Sequence, residues 1–304
     1  MKNFFINLNN ESKGFIFGFI GIIIFSVTPV ATKIALGYNN SQLSAEFITF
    51  GRSALAGNLA LLYLIFFRKK IPKFKYLFNF SIIALCLSLV FPLALSFGLI
   101  YSTSIHSAVI LAFLPLATAI FASFYFKQRA SKSFWLCAIL GGIITVIYIL
   151  VHNENLNNIF KISHYDILFF IAVIAAAVGY NFGTKLTKVM TSVDVISWAL
   201  VIVMPFNLIL AIYYFPKNSI NIISWLGFLY TAVFSQWIGF FVWYKGLSIG
   251  GAVRISQIQL LMPFFTIVFS IYFLEESINF FTITFLILIV FLIFMSRKMS
   301  VKNI

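Results

Sequence analysis

The stretch GLIYSTSIHSAVILAFLPLATAIF, residues 98–121, returns in outline as GLSIGGAVRISQIQLLMPFFTIVF at residues 246–269. In each copy a Gly-Leu pair (Gly98-Leu99, Gly246-Leu247) is followed by a proline seventeen residues after the glycine, Pro115 and Pro263. Thr118 and Thr266 stand three residues beyond those prolines, and Phe121 and Phe269 six beyond. A second echo, Ala31-Thr32-Lys33-Ile34 against Gly183-Thr184-Lys185-Leu186, opens each half. Just past the long echo the charge reverses, from Lys127-Gln128-Arg129 to Glu275-Glu276-Ser277. Basic loops stay on the cytoplasmic side of a membrane and acidic ones need not, so the equivalent loops are expected on opposite faces. The pattern predicts two repeats inserted in opposite directions, an arrangement in which secondary transporters bind substrate where the repeats meet.

Composition supports a membrane setting. Apolar residues make up 62% of the chain and charged ones 9%, with a mean hydropathy of +1.05, whereas a soluble domain carries about 25% charged residues. About 20 helical residues cross a bilayer, and ten such runs can be drawn: 14–36, 44–67, 77–100, 105–126, 133–151, 165–187, 194–215, 222–244, 252–274 and 278–296. Their length, without sustained alternation, predicts helices rather than a barrel. The expected fold is an all-α membrane protein of ten transmembrane helices in two inverted five-helix repeats, 1–152 and 165–304. They are joined by a polar external linker, 153–164. Five spans per repeat, an odd number, turn the second repeat over.

The net charge of +14 is a topology signal and not a nucleic-acid footprint. With the amino terminus inside, seventeen of the 21 Lys and Arg residues fall in cytoplasmic segments. Lys33, Lys161 and Lys217 fall outside and Arg52 within a span. That asymmetry predicts both termini in the cytoplasm, with basic loops touching anionic lipid. Cys86 and Cys137 lie in spans and read as packing residues, leaving no disulfide framework or metal site. No GxxxxGK[ST] sequence is present, so no nucleotide site and no cofactor is implied.

The two five-helix repeats, Thr28-Pro29-Val30-Ala31-Thr32-Lys33 ending the first span, and Phe50-Gly51-Arg52 in the second resemble the EamA group of the drug/metabolite transporter superfamily. So do the Gly-Leu…Pro pattern and Leu274-Glu275-Glu276 closing the ninth span. Lys127-Gln128 departs from the family, which often has an acid there. The resemblance implies a bacterial inner-membrane carrier of amino acids or other small metabolites, commonly an exporter. An intramembrane enzyme, or a channel or receptor, is the alternative class; an enzyme would need two reactive groups within reach of each other at mid-membrane.

Ionisable and polar groups inside spans are the candidate site. Arg52 lies well inside the second span, on a face with Glu46, Thr49 and Ser53. It either clamps a substrate carboxylate or pairs with a carboxylate such as Glu46, or with helix-end carbonyls, to hold the bundle. Glu46 is the candidate coupling group for protons. Ser256, Gln259, Pro263, Thr266 and Ser270 step by three or four residues and predict one inward stripe on the ninth span, with Gln259 as a cavity residue. Pro263 there, like Pro29 and Pro115, is a candidate gating point that frees a backbone carbonyl. Asn181, Tyr180 and Trp243 complete the candidate substrate contacts, with Gln236, Trp237, Trp198 and Tyr244 as further polar-tipped side chains of interest. His106, Lys33, Lys185 and Lys188 read as interfacial residues. Gly14-x-x-x-Gly18 and Gly179-x-x-x-Gly183 permit close helix approach. Substrate identity and oligomeric state are not legible.

Overall fold

The computed structural model describes residues 10–37, 42–125, 128–130, 164–250, 255–278, 280–297 and 301–303, with scattered helical positions between 136 and 147. The described chain is helical apart from two three-residue strands. The first apolar run is α1 (Asn10–Ser26) and α2 (Thr28–Leu36), separated by a turn at Val27. The second is α3 (Ala45–Phe66), started by Ser44, whose side chain accepts from the Phe47 amide. The third comprises α4 (Leu77–Ile83), a π-helical segment (Ala84–Val90) and α5 (Phe91–Ile100). The fourth comprises α6 (Ser104–Leu111) and α7 (Leu114–Tyr125), with a turn at Ala112-Phe113 between them.

In the second half, α8 (His164–Leu186) and α9 (Ser192–Tyr213) are long helices, α9 carrying Pro205 in its interior. The next run is α10 (Ile222–Tyr230), a second π segment (Thr231–Ile238) and α11 (Gly239–Gly250). A 3₁₀ segment (Ser256–Leu261) leads into α12 (Met262–Leu274), and α13 is Phe280–Arg297. Strand β1 (Gln128–Ala130), just beyond α7, pairs antiparallel with β2 (Val301–Asn303). The segment after α7 and the end of the chain therefore share one end of the bundle.

Seven described helices are long and apolar enough to cross a membrane, and Ile258–Leu274 and Phe280–Leu292 are shorter apolar helices. Most of the expected fifth span, 133–151, and the linker as far as residue 163 lie outside the described residues, and α8 begins at His164. The eighth run reaches Gly250, beyond the expected end at 244. Lys245 does not stop it because its Nζ sits over the Phe17 ring at 4.7 Å, so the charge is accommodated at the surface of the helix pair.

The helices pair in a regular way. α3 lies along α9, and α1 lies along α11. The latter contact is backbone on backbone: a Cβ at Gly14 would stand 2.5 Å from Gly250 Cα, and one at Gly246 2.8 Å from the Gly18 amide. Gly183 similarly admits the Tyr244 ring, and Gly179 admits Leu87. Both GxxxG pairs are thus used within the chain. Large apolar side chains such as Phe66, Ile71, Ile212 and Phe280 are exposed, as expected of a surface that meets lipid.

Candidate substrate cavity

Pro29, Pro92 and Pro263 all occupy the first turn of a helical segment, and Pro115 is the second residue of α7. The helical path runs directly into α5 and α12 from the π and 3₁₀ turns before them, so Pro92 and Pro263 each withhold a backbone donor there. Each proline lies where one helical segment gives way to the next. The two π segments occupy the same place relative to Gly98 and Gly246 as each other.

These irregularities converge on one buried cavity. Phe25, Thr28 and Pro29 reach it from the α1–α2 turn, and Leu111 and Leu114 from either side of the α6–α7 turn. Leu87 and Phe91 come from the first π segment and its end, Ser235, Gln236 and Phe240 from the second, and Met262 from the start of α12. Arg52 of α3 and Tyr180 of α8 close the wall. Irregular backbone at membrane depth is tolerated where it is buried in protein or lines a cavity, and π segments are frequent at functional sites. The cavity encloses about 10 Å³ of free space, room for roughly one water. Ligand pockets run to roughly 300 Å³ or more, so the space as it stands is far smaller than a metabolite needs.

Hydrogen bonds hold the breaks together. Arg52 Nη2 donates to Ser235 Oγ at 3.0 Å, and Ser235 Oγ lies 2.8 Å from Thr28 Oγ1. Gln236 Nε2 donates to the Leu87 carbonyl at 3.1 Å and to Ser88 Oγ at 3.2 Å, so one π segment satisfies a backbone group of the other. Thr266 Oγ1 donates to the Ser26 carbonyl at 2.9 Å, meeting an acceptor beside the α1–α2 turn. Arg52 is 1% exposed, and its Nε and Nη1 have no acceptor among the described residues.

The structure brings Arg52, Tyr180, Pro29 and Gln236 to the cavity lining, and the other described sequence candidates lie off it. Glu46 sits half-buried in the first turn of α3 and does not pair with Arg52. Asn181 Nδ2 donates to the carbonyls of Ala177 and Thr118, joining α8 to α7 and leaving the cavity wall to its neighbour Tyr180. Trp243 is fully buried against Phe25 and Tyr180, behind the wall. Gln259 is 2% exposed with neither amide atom partnered among the described residues, and it does not line the cavity. The 3₁₀ segment explains this: at about three residues per turn it rotates Gln259 out of the row that Thr266 and Ser270 keep. The side chain of Ser256 lies outside the described residues. Pro115 and Pro263 are buried beside the wall residues Leu114 and Met262.

Two sets of polar contacts close the bundle ends. At one end Glu276 accepts from the amides of Ser104 and Ile105 at 2.8 and 2.9 Å, capping α6, a favourable place for a carboxylate. Glu275 makes this possible by adopting a left-handed turn, φ 53°, directly after α12. At the same end Lys33 Nζ donates to the Leu99 and Ser102 carbonyls at 2.6 and 2.9 Å. His106, buried rather than interfacial, lies 2.7 Å from Asp166. At the opposite end Asp194 of α9 accepts from Lys69 and from the Tyr63 hydroxyl, tying α9 to the end of α3.

A model of the EamA-like transporter family matches residues 12–151 and again residues 164–297. The chain belongs to the EamA-like transporter family. It is a multi-pass membrane transporter. A relative in Bacillus subtilis (strain 168), named "Uncharacterized transporter YdeK", is 32% identical over 274 residues, which cover 90% of this chain and 92% of the relative. A protein crystal structure shares the fold with a TM-score of 0.65 at 14% identity, covering 95% of this chain and 98% of that one.

Within this EamA-like transporter, Ser235 is the hydrogen-bond partner of Arg52 that sequence reading missed. It stands next to Gln236 in an apolar run, where an α-helix would point the two about 100° apart. The π segment lets both reach the same cavity.

Proposed function

We propose that this transporter is a secondary carrier working by alternating access. It moves small metabolites with an anionic group, amino acids or related compounds among them, in the export direction across a bacterial inner membrane. The observation that carries this reading is the convergence of five helix breaks, from both halves of the chain, on one buried cavity containing Arg52. A pore needs no such set of jointed helices. A carrier does, because segments on either side of a central site must move in turn.

The same observation supports ten spans in two inverted five-helix repeats, 1–152 and 165–304, with 153–164 as the external linker. Matching Gly-Leu pairs, prolines and π segments recur at the same spacing in the two halves, and the family model matches twice. The basic bias puts the Lys69 end and both termini in the cytoplasm and the Glu276 end outside. In that orientation the contacts of Glu276, Lys33 and His106 form the outer gate, and Lys69 with Asp194 an inner one. Glu46 is the coupling candidate if protons drive transport, being an acid just inside a span. Glu46→Gln should then abolish pH-driven transport and spare exchange.

The test is reconstitution into liposomes without ATP, followed by counterflow with labelled metabolites, amino acids first. Label should accumulate transiently against an unlabelled internal pool. Uptake that needs ATP, or passive equilibration without overshoot, would contradict a secondary carrier.

A further inference from the structure

We propose that the cavity recognises a monoanionic carboxylate borne on an apolar body, in preference to a zwitterion or a cation. The inference rests on the carrier reading of the same cavity and narrows its substrate class. It begins with the charge on the wall. Among the described residues that line the cavity Arg52 is the one that carries a charge, and none is an Asp or Glu. Arg52 is 1% exposed, and a single neutral hydroxyl, Ser235 Oγ, accepts from its guanidinium among the described residues. Nε and Nη1 keep N–H groups without an acceptor among the described residues. Removing a charge from water without a counter-charge is expensive, and leaving its donors unmet adds to that. A carboxylate answers both at once, since it accepts several hydrogen bonds and brings the cavity to neutrality. A zwitterion would leave the site with a net charge of plus one and an ammonium without an acidic partner. A cation would double the charge.

The rest of the wall defines the body of the ligand. Phe25, Phe91, Tyr180, Phe240 and Leu114 face the same space, and aromatic and aliphatic walls with few polar groups suit an apolar group. The hydroxyl that Arg52 meets is already engaged: Ser235 lies between the guanidinium and Thr28 Oγ1. That chain also gives binding a mechanical consequence. A carboxylate that draws Arg52 away from Ser235 loosens the link between α3, the second π segment and the α1–α2 turn.

The experiment holds the apolar body constant and varies only the charge. Binding of 3-phenylpropanoate, 3-phenylpropanol, phenylalanine and phenethylamine is measured on the purified wild-type protein in nanodiscs, by calorimetry or by the shift in thermal unfolding. The monoanion should bind about tenfold to a hundredfold more tightly than the alcohol, the gain expected of a hydrogen-bonded charge. It should also outbind phenylalanine and phenethylamine. Arg52→Lys keeps the charge but loses the planar donor set and should weaken the monoanion by a similar factor while leaving the alcohol unchanged; Arg52→Gln should erase the preference. Equal or tighter binding of the zwitterion or cation, or no binding of the monoanion, overturns the proposal, and the wild-type panel decides this even if the variants do not fold. Counterflow with the same compounds separates the two readings. Exchange of phenylalanine or phenethylamine in preference to the acid sinks the monoanion site and keeps the carrier. Arg52-dependent binding of the acid without any exchange keeps the site and sinks the carrier.

Discussion

Arg52 and Ser235, 183 residues apart in sequence, are joined by a 3.0 Å hydrogen bond inside the bundle. The bond links the second apolar run of the first half to a π segment of the second. It occupies the position where sequence alone offered a carboxylate clamp or an ion pair with Glu46. The ion pair is not made, so the buried charge is left with a neutral partner and two donors to spare.

Gln259 tests whether an unpaired buried amide is kept for function. Both of its polar atoms lack partners among the described residues, and such groups cost roughly 1–3 kcal/mol each. Gln259→Met should therefore raise the unfolding temperature. If the amide meets substrate once the cavity opens, the same variant should also raise the KM for counterflow about tenfold; an unchanged KM with a higher melting temperature would make Gln259 a residue without a transport role.

The Glu276 cap on α6 should set the balance between conformations. Glu276→Gln retains an acceptor but loses the charge, and hydrogen bonds to charged groups are worth roughly 1.5–3 kcal/mol. The Glu276 end should open more readily, seen as faster reaction of a cysteine at Leu111 with an impermeant thiol reagent added from that side. No change in rate would show that the cap does not hold the gate.

The contact between α1 and α11 leaves no room for a side chain at Gly14. Backbone atoms of Gly250 stand 2.5 and 2.6 Å from where the Cβ would go, and backbone cannot swing aside. Gly14→Ala should destabilise the protein by about 1–3 kcal/mol, visible as a lower midpoint in thermal unfolding. A neutral result would mean that the two helices separate at this end at little cost.

Lys69 and Asp194 give a pH signature outside the membrane. The hydrogen bond that Lys69 donates to Asp194 raises its ammonium above the ordinary value of 10.5. A raised value stabilises the folded state fully at pH below that ordinary value and loses the effect as pH climbs through the raised one. Asp194→Asn should thus cost up to about 1 kcal/mol at neutral pH, as a partly exposed pair does. The gap from wild type should close as pH rises beyond 10.5, checked by unfolding midpoints across the alkaline range.

Much of this site was legible in the residues. Arg52 stands out because a single charge in an apolar run has few places to go, and Pro29, Pro115 and Pro263 mark backbone breaks by their chemistry. Ser235 was not legible, because Pro92 and Gly239 follow the π segments without giving their period, and an extra residue in a turn rotates everything after it. Gln259 misled for a related reason: steps of three and four predict one face only on an α-helix, and its segment is 3₁₀. Glu276 could be read as a charge on a loop, but its role as the cap of α6 depends on a contact with Ser104, 172 residues earlier.

The most direct test of alternating access is the reactivity of a cysteine at Met262, which lines the cavity at the start of α12. It would be measured in right-side-out and inverted vesicles on a background with Cys86 and Cys137 replaced. The residue should react with a small impermeant reagent from either face. Glu276→Gln should speed reaction from the outer face and slow it from the inner one, and a saturating exchanged compound should protect it. Reaction rates from the two faces that rise or fall together, with no protection by any exchanged compound, would contradict a carrier that opens its Arg52 cavity to one side at a time.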